Sequence, residues 1–116
     1  MSDTLVTVSL TRRGQERAVA RVAGEIDYFS SDVLHNDVLA LLDEEINELV
    51  LDFSRVAFCD SSGMSALIAL QRHLMARDAS LTVAAPPRNV ARALQLGGLE
   101  ELIPVHDSVP NTDGVA

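Results

Sequence analysis

The 116-residue sequence predicts one α/β domain, a central and mostly parallel β-sheet opened by an antiparallel hairpin, with helices packed against it. Three observations carry this. Runs of strand period alternate with runs of helical period in the order β-β-α-β-α-β-α-β, which implies parallel strands joined by helical crossovers. Val50 and Leu51 are apolar neighbours in the third strand, which suits a strand covered on both faces. The length supports one hydrophobic core and not two, and no internal repeat, low-complexity tract or linker divides it.

Each element has a local reason. Leu5 to Leu10 alternates, with Val6, Val8 and Leu10 on one face and Thr7 and Ser9 on the other. A turn around Arg13-Gly14-Gln15 returns the chain into a second strand, Arg17 to Ala23, which Gly24 ends. Ser30-Ser31-Asp32 is an N-cap cluster for a first helix that runs to about Leu42 and buries Leu34, Val38 and Leu41. An acidic connection, Asp43, Glu44, Glu45 and Glu48, leads to the third strand, about Glu48 to Phe53. The second helix follows Asp60, with Met64, Leu67, Leu70 and Leu74 at helical spacing, and ends near Ala76-Arg77-Asp78.

Leu81 to Ala84 reads as a fourth strand. Pro86-Pro87 opens a third helix, because proline's missing N–H costs nothing in the first turn. Val90 and Leu94 form its buried stripe, and Gly97-Gly98 supplies a left-handed C-cap over which Leu99 folds back. A short fifth strand is expected at Glu101 to Ile103. The domain is thus expected over residues 1–104, with 105–116, which hold Pro110, Asn111 and Gly114, as a loosely ordered tail.

Charge and composition narrow the function. Nine basic residues, all arginine, against seventeen acidic ones give a net charge of −8. So acidic a chain is a poor nucleic-acid binder. Arg12, Arg13, Arg17 and Arg21 cluster early, as exposed positions on a two-stranded ribbon. No apolar run reaches the ~18 residues of a membrane helix, and Met1-Ser2-Asp3-Thr4 lacks the basic and apolar regions of a secretory signal, so a soluble cytoplasmic protein is expected. Cys59, the only cysteine, reads as a small buried hydrophobe.

An enzyme is disfavoured. A serine hydrolase needs a nucleophile elbow and a placed histidine, but there is no Gly-x-Ser-x-Gly, and His35, His73 and His106 are scattered. Metal-ligand spacings, the P-loop and the dinucleotide glycine pattern are absent too, so no metal or cofactor is expected.

The tetrapeptide Asp60-Ser61-Ser62-Gly63 is the most informative stretch, because it sits where a strand ends and a helix begins. Backbone N–H groups at a helix start lack intrahelical partners, so a negative charge such as a phosphate is stabilised there. Plain helix capping is the other reading of the two serines. Gly24-Glu25-Ile26-Asp27, then a helix, then Leu51-Asp52-Phe53, then Asp60-Ser61-Ser62-Gly63 together resemble STAS domains, most of all the bacterial anti-sigma factor antagonists. The resemblance spans about Leu5 to Ile103, and it is the joint placement of the motifs that makes it specific.

The resemblance implies a partner switch. Such antagonists bind an anti-sigma factor that is also a serine kinase, freeing a sigma factor. The kinase phosphorylates the serine after the motif's aspartate, here Ser61, and a serine phosphatase resets it. Asp27 matches an acidic residue beside the phosphosite, with Asp60, Ser62 and Gly63 completing its surroundings, although Asp27 also reads as a turn residue or helix cap. Ser61, Ser62, Gly63, Met64 and Ser65 match the partner-contacting surface. Tyr28 and Phe29 are core residues or, if exposed, partner anchors. A monomer or weak dimer is expected, without membrane or nucleic-acid contacts.

Two departures from the family stand out. Gly63-Met64-Ser65 replaces a common Gly-Leu-Gly, and His106 to Ala116 has little character of the usual fourth helix. A STAS module that is never phosphorylated, serving a transporter, a lipid-trafficking complex or a sensory assembly, is the alternative.

Overall fold

The computed structural model describes residues 6–110. Five strands form one sheet in the order β1-β2-β3-β4-β5. They are β1 (Thr7–Arg13), β2 (Arg17–Ile26), β3 (Glu48–Cys59), β4 (Ser80–Ala84) and β5 (Val105–His106), interleaved with α1 (Ser31–Leu41), α2 (Ser61–Met75), α3 (Arg88–Leu96) and a 3-10 turn, Leu99–Glu101. β1 and β2 pair antiparallel, and every later neighbour pairs parallel. Strands laid side by side in chain order, with right-handed crossovers, put their connecting helices on one face. The main core lies on that face, joining Ala18, Ala20 and Val22 of β2, Leu49, Leu51 and Phe53 of β3, and Leu81 and Val83 of β4 to the apolar sides of all three helices.

The other sheet face is covered without a helix. Val19, Val50 and Ala84 are buried there with Val109 packed against them. Cross-strand ion pairs bracket this apolar strip in register, Arg17 with Glu48 at 2.8 Å and Arg21 with Asp52 at 3.4 Å. So β3 is buried on both faces, as its adjacent apolar residues predict, while of the early arginines Arg13, Arg17 and Arg21 are tied to carboxylates and Arg12 is exposed.

Several boundaries move. β2 does not stop at Gly24 but runs to Ile26, because Gly24 takes φ 112°, which a glycine reaches without strain, where the register against β3 shifts. β3 likewise continues past Phe53 to Cys59. Leu10 pairs with Ala20 but is 44% exposed, just before a bulge between Leu10 and Arg12. The Leu5 end of the expected first strand, the Met1-Ser2-Asp3-Thr4 start, and Asn111 and Gly114 lie outside the described residues.

The fifth strand forms at Val105–His106 and not at Glu101–Ile103. Ile103 is withdrawn into the core, its N–H donating to Leu99 O at 2.9 Å, and pairing starts only when Pro104 O accepts from Val83 N–H at 3.0 Å. Residues 105 and 106, which the sequence assigns to a tail, are therefore part of the sheet. The short β5 leaves the β4 edge unpaired at Leu81, and the buried side-chain amide of Gln71 fills in. Its Oε1 accepts from Leu81 N–H at 2.8 Å while its Nε2 donates to Leu81 O and Leu102 O. Gly98 takes φ 76° after α3, and Leu99 is buried behind it, as the paired glycines predict.

Candidate functional site

The ends of β2 and β3 bring the two sequence motifs together. Ile26 and Cys59 are register partners, and Asp60 N–H donates to Ile26 O at 3.1 Å. Asp27 and Asp60 thus leave the sheet side by side, one into the turn before α1 and the other into α2.

Asp60 is the N-cap of α2. Its Oδ1 accepts from Ser62 N–H at 2.8 Å and Gly63 N–H at 3.2 Å, and its own carbonyl receives Met64 N–H at 3.0 Å. The capping group is thus the aspartate and neither serine. Ser61, at the first helical position, is exposed, and its hydroxyl makes no hydrogen bond to any described residue. Ser62 is half-buried and Ser65 exposed.

Gly63 is not on the surface. It is buried, and a Cβ there would meet Ile26 Cγ2 at 2.6 Å and Cys59 Sγ at 2.7 Å. Its role in this fold is to let α2 approach the strand ends closely. Met64, half-buried, reaches the C-terminal end of α3, where its sulfur lies against Gly97. Cys59 is buried, and burial first, with the Asp60 charge second, pushes its thiol pKa up to about 12. That suits an inert core group.

Asp27 organises its own turn. Its Oδ1 accepts from Phe29 N–H at 2.9 Å and Ser30 N–H at 3.0 Å. Ser30, buried, accepts Asp27 N–H on its hydroxyl at 2.9 Å and donates to Glu25 O at 2.7 Å. Ser30 is the N-cap of α1 by position but makes no side-chain cap bond, because this hydroxyl is turned back into the turn. The turn pushes its tip outward. Tyr28 is 74% exposed and Phe29 86%, their rings in edge contact with centroids 5.4 Å apart. Neither is a core residue.

Between α1 and α2 lies an open groove of about 450 Å³. Ser31, Asp32 and His35 line it from α1, Ser62, Ser65, Ala66 and Ala69 from α2, and Tyr28 stands at its mouth. Sequence reasoning found Tyr28, Ser62 and Ser65 but not the rest. The available signal is the run of small residues at 62, 65, 66 and 69, one helical face flanking the buried stripe of Leu67, Leu70 and Leu74. His73 and His106 are exposed and far apart in the fold's elements, and no group of three or more His, Cys, Asp or Glu that could hold a metal forms among the described residues.

Comparison with known proteins identifies the family of this fold. The STAS domain pattern matches residues 9–111. The chain belongs to the STAS domain family. Among curated STAS relatives, the anti-sigma F factor antagonist of Paenibacillus polymyxa is 24% identical over 94 residues, 80% of each chain. Among solved structures, an anti-sigma factor antagonist from Mycobacterium paratuberculosis aligns over 93% of this chain and 91% of its own, with a TM-score of 0.79 and 25% identity. The murine anion transporter Slc26a9 aligns over 91% of this chain but only 21% of its own, with a TM-score of 0.76 and 17% identity, so it shares the fold alone. No helix among the described residues of this STAS domain is long and apolar enough to cross a membrane.

Proposed function

We propose that this STAS protein is a cytoplasmic anti-sigma factor antagonist, a binding protein without catalysis of its own, that docks on an anti-sigma factor with serine kinase activity and is released when Ser61 is phosphorylated. A serine phosphatase restores the binding form. The observation that carries the reading is Ser61, exposed and unengaged at the first position of a helix whose cap is supplied by its neighbour Asp60. The antagonists among its relatives support the same role.

The N–H groups of Ser62 and Gly63 are already taken by Asp60, so the helix start cannot wrap a new anion with all its free donors. A phosphoserine carries roughly −1.5 to −2 charge. On Ser61 it is presented outward beside Asp60, and the domain keeps its fold, since Ser61 contributes nothing to the core. A partner packed on the bare hydroxyl then meets bulk and unmatched charge. Disrupting a buried polar contact of this kind costs about 2–5 kcal/mol, more than tenfold in affinity.

The test is to incubate the protein with ATP and each candidate anti-sigma kinase of the same genome, and to map phosphate by mass spectrometry. Phosphate on Ser61, absent from Ser61→Ala, is the expected result. Ser61→Ala should bind the kinase constitutively and Ser61→Asp poorly; equal binding by the two sinks the switch. Neither labelling nor binding by any kinase would turn the assignment to an unphosphorylated module of a transporter, lipid-trafficking or sensory complex.

A further inference from the structure

We infer that the exposed end of β3 and the outer side of α3 form a docking surface for an acidic segment of a partner protein. Arg55, Arg88 and Arg92 take its carboxylates, and Phe58 and Leu96 take an apolar side chain between them. The surface is distinct from Ser61, the Tyr28 turn and the α1/α2 groove, and it does not depend on the antagonist reading.

Charge distribution is the first reason. The chain has seventeen acidic residues, yet none falls between Asp52 and Asp60 or between Asp78 and Glu100. The fold brings these two acid-free stretches together. Asp52 is the last β3 residue paired with β4, and the strand then runs on to Cys59. α3 begins against that unpaired edge, where Asn89 Nδ2 donates to Ala57 O at 3.1 Å. Arg55, Phe58 and Arg88 lie within two residues of this bond. Arg92 and Leu96 follow Arg88 at helical spacing along the exposed side of α3, opposite the buried Val90 and Leu94. Phe58 is 47% exposed and Leu96 77%.

The second reason is that these cations have no partner in the domain. Arg13, Arg17 and Arg21 are tied to carboxylates, and Arg77 donates to the carbonyls of Asp43 and Ile46. Arg55, Arg88 and Arg92 are exposed and make no ion pair or hydrogen bond among the described residues. Glu25, in register with Phe58, and Asp107, just after β5, pair with none of the three. Arg12 and Arg72 are unpaired too, but each stands on an element of its own. Arg88 also occupies the first position of α3, which has no side-chain cap and whose dipole disfavours a cation there. Arg92, four residues on, is a like-charged neighbour. The free domain thus carries an electrostatic conflict that a partner's carboxylates resolve.

The size of the patch selects the occupant. Three guanidiniums form a local island on a chain of net charge −8. A nucleic-acid backbone or an anionic membrane presents many charges and is repelled by the rest of the surface. A short segment with a few carboxylates meets the arginines alone. Guanidinium groups bind carboxylates through two parallel hydrogen bonds, and arginine with an exposed aromatic ring is the composition of a protein–protein anchor.

The test titrates the isotope-labelled full chain, followed by NMR, with a synthetic peptide of repeated Glu-Glu-Leu-Gly. The same peptide with glutamine for glutamate, a single-stranded DNA oligonucleotide and phosphatidylglycerol vesicles are compared. Shifts confined to the amides of the β3 end and α3 are expected with the glutamate peptide alone, and binding weakens as salt rises. Arg88→Glu/Arg92→Glu should raise the Kd about tenfold or more, while Arg72→Glu, the same charge change on α2, leaves it unchanged. Arg88→Glu alone should also raise the melting temperature of the free chain, since it places a carboxylate at the helix start. All three arginines are exposed, and circular dichroism checks each fold; Arg88→Gln/Arg92→Gln replaces the reversal variant if that one misfolds. Equal binding of the glutamine peptide, shifts that map elsewhere, or a wild-type Kd in the α3 variants overturns the surface. Binding of the oligonucleotide or the vesicles there in place of the peptide overturns the choice of a protein partner, and a lower melting temperature for Arg88→Glu overturns the conflict on which the inference stands.

Discussion

Gly63 and Ile26 are in contact so close that a Cβ on the glycine would stand 2.6 Å from Ile26 Cγ2. The start of α2, which carries Ser61, is therefore seated directly on the end of β2, which leads to Asp27. Position and orientation of the candidate switch depend on this one missing side chain.

Gly63→Ala should accordingly destabilise the domain. An alanine gains about 1 kcal/mol of helix propensity, but overpacking against Ile26 and Cys59 Sγ costs about 1–3 kcal/mol. A net loss of about 1 kcal/mol in urea unfolding is expected. A Gly63→Ala variant as stable as wild type would show that α2 seats more loosely than this contact implies.

Asp60→Ala should remove the cap from Ser62 and Gly63 N–H and cost about 0.5–2 kcal/mol, with Asp60→Asn retaining most of the stability. Thermal melts of the three proteins give the ranking. If Asp60→Asn falls as far as Asp60→Ala, the cap does not act through its hydrogen bonds.

Asp52 makes a pH-dependent contribution. Burial alone would raise its carboxyl, but the Ser54 N–H at 2.9 Å, the Ser54 hydroxyl and the Arg21 guanidinium outweigh that and hold it below the ordinary value of 3.8. A carboxyl depressed in the folded state adds stability that is fully present above its unfolded value and is lost as pH falls through the folded one. The stability difference between wild type and Asp52→Asn should hence be constant near neutrality and shrink below about pH 4. A difference that grows on acidification would contradict the sign.

Cys59 should resist thiol reagents in the native state and react at once in denaturant, because its pKa of about 12 leaves almost no thiolate at pH 8 and its sulfur is buried. Labelling followed by mass spectrometry with and without urea measures this. Rapid native labelling would mean that the α2 start opens readily, since Gly63 lies over the same sulfur.

What the sequence determined by itself is what short-range spacing encodes. The element order, the helix stripes at Leu67, Leu70 and Leu74, the glycine C-cap after α3, the burial of Cys59 and the strand-to-helix junction at Asp60 all follow from residues within a few positions of one another. The tertiary structure alone decided what depends on neighbours remote in the chain. It buried Gly63 under Ile26, turned Tyr28 and Phe29 outward, closed Asp27 into its own turn, and assembled the groove from Asp32 and His35 on one helix and Ser65 on another. It also moved β5 to Val105–His106, since core burial of Ile103 and the missing N–H of Pro104 outweigh the strand pattern before them. Local periodicity says which face of an element is apolar, but exposure is settled by what packs on that face, and those partners lie tens of residues away.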